Sequence, residues 1–216
     1  MSMKKIGILG SGTVGQKLGE GFAKAGYNVK LGTRNPDKLE AWQKNAGSNA
    51  FIGSFEEAAK FGEMIFLCTK WAGTENAINM AGKNSFSRKI VIDVTNPLLF
   101  EKEGEMPKMA LAYPESGGKA VQRWLPETKV VKCFNTVTAY KMCDGRFEEG
   151  NGTMFLAGND QNAKKIVSDI AKAWNWDVVD MGSIEEAYLL ESIAMAWITY
   201  GFRNNHWTHG WKLMRK

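Results

Sequence analysis

The sequence is poor in the residues that build disulfide frameworks and metal centres. Its 216 residues include three cysteines, Cys68, Cys133 and Cys143, and two histidines, His206 and His209. An odd cysteine count without C-x-x-C or zinc spacing excludes a disulfide scaffold and points to reduced thiols in a cytoplasmic protein. The two histidines stand three apart with no adjacent cysteine or acid, so they read as tail packing and no metal site is expected. Long apolar runs are also missing. The most apolar stretch, 187–202, covers 16 residues and contains Glu191. It falls short of the roughly 20 residues that cross a bilayer, so no membrane association is expected. The start, MSMKKIGILGSGTVG, interrupts its apolar run with glycine and reads as a strand and turn rather than a secretory leader. Basic runs are absent too: 28 Lys and Arg against 23 Asp and Glu leave a scattered net charge of +5. Such a charge permits an anionic small ligand and gives no footprint for nucleic acid.

What is present is an alternation of short apolar runs and amphipathic segments. Strands are predicted at 4–9, 27–32, 50–52, 64–68, 89–94 and 129–134. Helices are predicted at 13–25, from Pro36 to about 46, from Ser54, at 73–82 and at 117–124. Ser54 and Glu57 have the spacing of a capping box, as do Ser183 and Glu186. Strand and helix alternating in this way imply a doubly wound, mostly parallel α/β sheet with right-handed crossovers. Residues 1–150 form the expected dinucleotide-binding domain. Residues 151–216 then form a small C-terminal extension: a polar, Gly-rich loop over 135–152 leads to a strand at 153–157, a helix at 160–174 and a strand at 176–180. A helix over 184–202, apolar nearly all round, closes it. Such a helix must be buried, in its own chain or against a second copy, and a homodimer through it is expected.

Gly10-Ser11-Gly12-Thr13-Val14-Gly15 spells G-x-G-x-x-G. It directly follows a predicted strand and opens a predicted helix, the context in which this pattern cradles a pyrophosphate. Gly10 permits a tight turn, Gly12 lets the backbone approach phosphate, and Gly15 lets the helix pack closely. The helix N-terminus supplies unpaired N–H groups. A cofactor with a free ribose hydroxyl needs an acid at the tip of the second strand. The tip here reads Leu31-Gly32-Thr33-Arg34-Asn35-Pro36. Thr33 offers a hydroxyl and Arg34 a fork of donors for a 2′-phosphate, so NADP is preferred over NAD. The alternative gives the ribose to Asp37 and leaves Arg34 a solvated charge. In an open parallel sheet, ligands bind at the carboxyl ends of the strands. Thr69 and Lys70, then Thr95, Asn96 and Pro97, then Asn135 and Thr136 occupy such ends. An Asn-Pro pair is also an ordinary turn. Trp197, Trp207 and Trp211 suit either ring stacking or packing, and Cys68 and Cys133 read as small buried residues.

Taken in order, Ile8-Leu9-Gly10-Ser11-Gly12, Gly32-Thr33-Arg34-Asn35-Pro36, Val130 through Thr136 (VVKCFNT) and Leu189-Leu190-Glu191-Ser192 resemble the deazaflavin (coenzyme F420)-dependent NADP oxidoreductase family. Val178 through Ser183 (VVDMGS) also resembles the NADPH domain of the six-transmembrane (STEAP) metalloreductases, of the same superfamily. The resemblance implies NADPH binding and hydride transfer to or from a flavin or deazaflavin ring. By it, the glycine turn cradles the pyrophosphate and Thr33, Arg34 and Asn35 hold the 2′-phosphate. Thr69 and Lys70 lie towards the adenosine, Asn96 and Asn135 towards the nicotinamide. Hydride transfer between two rings needs no side-chain nucleophile, so no catalytic residue is singled out. Two other readings stay open: an NADPH-dependent reductase of a small imine or carbonyl, and a non-catalytic NADPH sensor.

Overall fold

The computed structural model describes residues 4–102 and 104–215. Eight strands make one sheet: β1 (Lys5–Leu9), β2 (Asn28–Gly32), β3 (Ala50–Gly53), β4 (Met64–Leu67), β5 (Ile90–Asp93), β6 (Lys129–Cys133), β7 (Thr153–Gly158) and β8 (Asp177–Asp180). Their order across the sheet is β8-β7-β6-β5-β4-β1-β2-β3. The strands from β1 to β6 pair in parallel, in the order of a dinucleotide-binding fold. β7 runs antiparallel to β6, and β8 is parallel to β7. The C-terminal extension therefore widens the same sheet.

The helices are α1 (Thr13–Lys24), α2 (Glu40–Ala46), α3 (Phe55–Phe61), α4 (Thr74–Ala81), α5 (Gly117–Trp124), α6 (Gln161–Ala173) and α7 (Ala187–Asn204). Side chains alternate across a strand, and the strands are apolar on both faces because helices cover both. Ile6, Ile8, Phe66, Ile92 and Val131 meet Leu18 and Phe22 of α1, Trp42 of α2 and Val167 of α6. Leu9, Ile65, Leu67, Val91 and Val130 meet Ala58 of α3, Ile78 of α4, Val121 of α5 and Ala187 of α7.

Local chemistry places most boundaries. Ser54 and Glu57 form the expected reciprocal capping box at α3. Pro36 opens one 3-10 turn, Pro36–Leu39, before α2. The second candidate box differs from expectation. Ser183 Oγ donates to Glu186 Oε2 at 2.6 Å, and residues Ile184–Glu186 turn as a 3-10 segment, so α7 starts only at Ala187. The segment 135–152 is a string of turns with a two-residue ladder, Arg146–Phe147 against Gly150–Asn151, and its Val137 and Met142 join the core. Residues 97–102 and 104–116 make a second excursion, with Leu98–Leu99 paired to Lys108–Met109.

One stripe of α7 is buried in its own chain: Ala187, Leu190, Glu191, Ala194, Trp197 and Gly201. The tail then folds back. Trp197 stacks on His209 with centroids 4.5 Å apart, and Trp207 lies against Gly201. Thr153 N donates to the Trp211 carbonyl at 2.7 Å. No helix of the described residues is long and apolar enough to cross a membrane.

Candidate functional site

The carboxyl ends of β1, β2 and β4 open onto a cleft of about 320 Å³ lined by Gly10, Ser11, Gly12, Thr33, Arg34, Asn35, Phe55, Thr69, Lys70, Gly73 and Asn76. It sits where the strand order reverses, between β1 and β4, the usual crevice of an open α/β sheet. The glycines of the turn differ in purpose. Gly10 has φ +119°, and a Cβ there would lie 2.6 Å from the Cys68 carbonyl oxygen. A Cβ on Gly15 would lie within 2 Å of the Gly10 carbonyl oxygen. The fold itself demands both. Gly12 has an ordinary φ of −74°, and no atom of the described residues lies within 4 Å of its would-be Cβ. The fold makes no such demand there. The open space lies at the N-cap of α1, which has no side-chain cap, so first-turn N–H groups remain for an external anion.

Beside the turn, Ser11 Oγ and Thr33 Oγ1 share a hydrogen bond of 2.9 Å, and Thr33 Oγ1 accepts from Asn35 N at 3.1 Å. These bonds fix the tip of β2. Arg34 is exposed and, among the described residues, enters no ion pair, so its donors are available to a ligand. Asp37 does not line the cleft; it occupies the first turn of the 3-10 segment, where its charge suits the helix dipole. Thr69 Oγ1 bonds Thr74 Oγ1 at 2.8 Å, and the Lys70 ammonium lies 5.9 Å from the Phe100 ring centre. Of the other predicted residues, Thr13 is exposed at the first turn of α1, while Val14 packs against the core. Phe55, Gly73 and Asn76 were not anticipated. They come from α3 and the start of α4, which reach the cleft only through the order of the strands.

Asn96 and Asn135 lie apart from that cleft, beyond β5 and β6, and bond to each other. Asn135 Nδ2 donates to Asn96 Oδ1 at 2.9 Å and to the Leu190 carbonyl at 3.1 Å; Asn96 Nδ2 donates to the Asn135 carbonyl at 2.9 Å. Asn135 Oδ1 and Thr136 Oγ1 are buried without a partner among the described residues. Buried polar atoms are normally satisfied, so these two oxygens are exceptions within an otherwise bonded group.

Below the two asparagines lies a charged group that sequence reasoning did not assemble. Lys132, Asp93 and Glu191 have side chains 0%, 0% and 1% exposed. The ammonium reaches Asp93 Oδ2 at 2.9 Å, Glu191 Oε1 at 2.9 Å and the Thr95 carbonyl at 2.5 Å. Burial pulls the Lys132 pKa down, but the two carboxylates more than offset it, and the net shift is upward. The available signal was a lysine and an aspartate inside strands otherwise apolar on both faces.

The three thiols are free, and burial raises the pKa of each, that of Cys143 to about 12. Cys133 belongs to the core, and Cys68 and Cys143 pack half-buried against it. The His209 ring nitrogens face the carbonyls of His206 and Trp197, at 3.0 and 3.1 Å. Trp197, Trp207 and Trp211 lie outside the lining of the glycine-turn cleft.

A profile of the family described as NADP oxidoreductase, coenzyme F420-dependent, matches residues 5–97. The F420-dependent NADP reductase of Methanocaldococcus jannaschii is 31% identical over 201 residues, covering 88% of each chain. The metalloreductase STEAP3 of Rattus norvegicus is 31% identical over 191 residues, covering 88% of this chain. The chain spans only 36% of that relative's length. A crystal structure from Arthrobacter sp. FB24, assigned as an F420-dependent NADP reductase, superposes with a TM-score of 0.91 at 32% identity, covering 99% of this chain and all of the other.

Proposed function

The chain belongs to the coenzyme F420-dependent NADP oxidoreductase family, and from that premise we propose that it transfers a hydride between NADP(H) and a flavin- or deazaflavin-type ring. The observation that carries this reading is the pairing, in one cleft, of an uncapped helix N-terminus at Gly12 with the unpaired Arg34 at the tip of β2. Two anion receptors at that place suit a pyrophosphate and a 2′-phosphate.

Each side chain then has a binding task. The N–H groups of Ser11 through Gly15 would hold the pyrophosphate. Thr33, Arg34 and Asn35 would hold the 2′-phosphate, and Thr69 and Lys70 would flank the adenosine side. Asn96 and Asn135, at the ends of β5 and β6, would take the nicotinamide carboxamide, and the buried, unpartnered Asn135 Oδ1 and Thr136 Oγ1 lie at that end. When bound, the dihydronicotinamide supplies the hydride. The protein orients the ring, excludes water and leaves one ring face open to the acceptor. Leu99, Phe100 and Met106 are exposed apolar side chains, with Phe100 beside Lys70. The outward face of α7, with Ile193 and the exposed Tyr200, is the surface proposed to pair two copies. Ile193→Glu should then yield a monomer by light scattering.

The test is anaerobic NADPH oxidation with FMN, FAD, riboflavin and a deazaflavin as acceptors, and NADH as control. NADPH-selective reduction of one acceptor supports the reading. Tight NADPH binding with reduction of none would overturn it in favour of a sensor or a small-substrate reductase.

A further inference from the structure

Resting on the cofactor reading above, we propose that Lys132, Asp93 and Glu191 form a buried charged brace that positions the Asn96–Asn135 amide pair for the nicotinamide end of NADP(H). A brace for packing alone would not need charges, because apolar side chains of similar volume stabilise a core as well or better. Instead, each charge is fully employed. The ammonium uses its three donors on Asp93, Glu191 and the Thr95 carbonyl. Asp93 Oδ1 also accepts from Thr95 N at 3.0 Å and Thr95 Oγ1 at 2.7 Å. One lysine against two carboxylates leaves one surplus negative charge. Glu191 places it against the first turn of α5, accepting from Gly117 N and Gly118 N at 3.0 Å each.

The ends of the brace lie next to the amide pair along the chain. The Thr95 carbonyl immediately precedes Asn96. The Leu190 carbonyl, which Asn135 Nδ2 grips, immediately precedes Glu191. Lys132 is three residues before Asn135. A shift of α7 relative to β5 and β6 would therefore break the Lys132–Glu191 pair and the Asn135–Leu190 bond together, while Asp93, Thr95 and the Asn96–Asn135 bonds tie β5 to β6. Lys132, Asp93 and Glu191 are positioning residues: they act on the ligand only through Asn96 and Asn135.

The variant to make is Glu191→Gln. It removes the surplus charge and leaves Lys132 and Asp93 as a neutral pair, so the fold is expected to persist. Asp93→Asn is a second route to one neutral pair, with Glu191 as the partner. Thermal unfolding is recorded for both. Calorimetric Kd values are then compared for NADPH and for 2′-phospho-ADP-ribose, which lacks the nicotinamide. The expected result is a loss of about tenfold for NADPH, bringing it towards the fragment, with the fragment changed by less than about twofold. Asn135→Ala should reproduce that selective loss. Equal weakening of both ligands, no change in either, or unfolding of both brace variants would overturn the proposal. A wild-type protein that binds neither ligand would overturn the cofactor reading itself, and the brace with it.

Discussion

The two ends of the candidate site are built in opposite ways. At the β1–β2 end, the groups that meet the ligand are exposed and unpaired: Arg34 has no ion-pair partner among the described residues, and the space before Gly12 is open. At the β5–β6 end, Lys132, Asp93 and Glu191 are buried and mutually satisfied, and the asparagines above them bond to one another. The difference follows from what each end is proposed to bind. Phosphates carry charge and tolerate solvent, so exposed donors on a fixed turn suffice. A nicotinamide ring must be held at one angle in a place without water, so rigidity has to be built before the ligand arrives.

Lys132→Met should have the largest effect. It leaves two carboxylates buried without their cation, and should destabilise the protein by about 3–5 kcal/mol in denaturant unfolding. A change under about 1 kcal/mol would mean that water or rearrangement reaches the group. Arg34→Ala, at the exposed end, should leave unfolding unchanged. It should weaken NADPH by roughly ten- to hundredfold and NADH by far less, since it removes a charge-assisted phosphate contact. Equal losses would show that Arg34 does not read the 2′-phosphate.

The glycines divide along the same line. Gly15→Ala must push against the Gly10 carbonyl and should lower the melting temperature. Gly12→Ala has room, so it should keep the melting temperature and lose dinucleotide affinity. The smallest effect concerns the tail. Burial holds His209 below the ordinary imidazole pKa of 6.5, partly offset by the carbonyls it faces. The unfolded chain therefore binds more protons there, and stability should fall as pH drops below about 6.5 and level off beneath the lowered folded value. His209→Gln should flatten that slope in a pH series of melting curves.

The exposed end was legible in the sequence because its information is local. Gly10 through Gly15 are contiguous, Thr33-Arg34 follows one predicted strand, and Ser54 with Glu57 marks a helix start by spacing alone. The buried end was legible only as separate fragments. Asn96 and Asn135 stood out as residues at strand ends, but the bond between them spans 39 positions. Glu191 was visible as a charge interrupting an apolar helix and as part of a resembling segment, with nothing to name its partners. Its partners at Gly117 and Gly118 lie 74 and 73 residues away, so no window along the chain contains both. Phe55, Gly73 and Asn76 escaped for the same reason: their place at the cleft depends on which strand lies beside which. Ser183 and Glu186 show the converse, a correct local signal met by a different local geometry, because a 3-10 turn brings the two side chains together instead of bonding each to the other's backbone.

The cleft at Gly12 and Arg34 is proposed to be a receptor for a 2′-phosphorylated dinucleotide. Calorimetric titration of the wild-type protein with NADP and with NAD tests it most directly. NADP should bind tighter by on the order of a hundredfold, as expected for a charge-assisted contact. Equal affinity for the two nucleotides, or binding of neither, would contradict it.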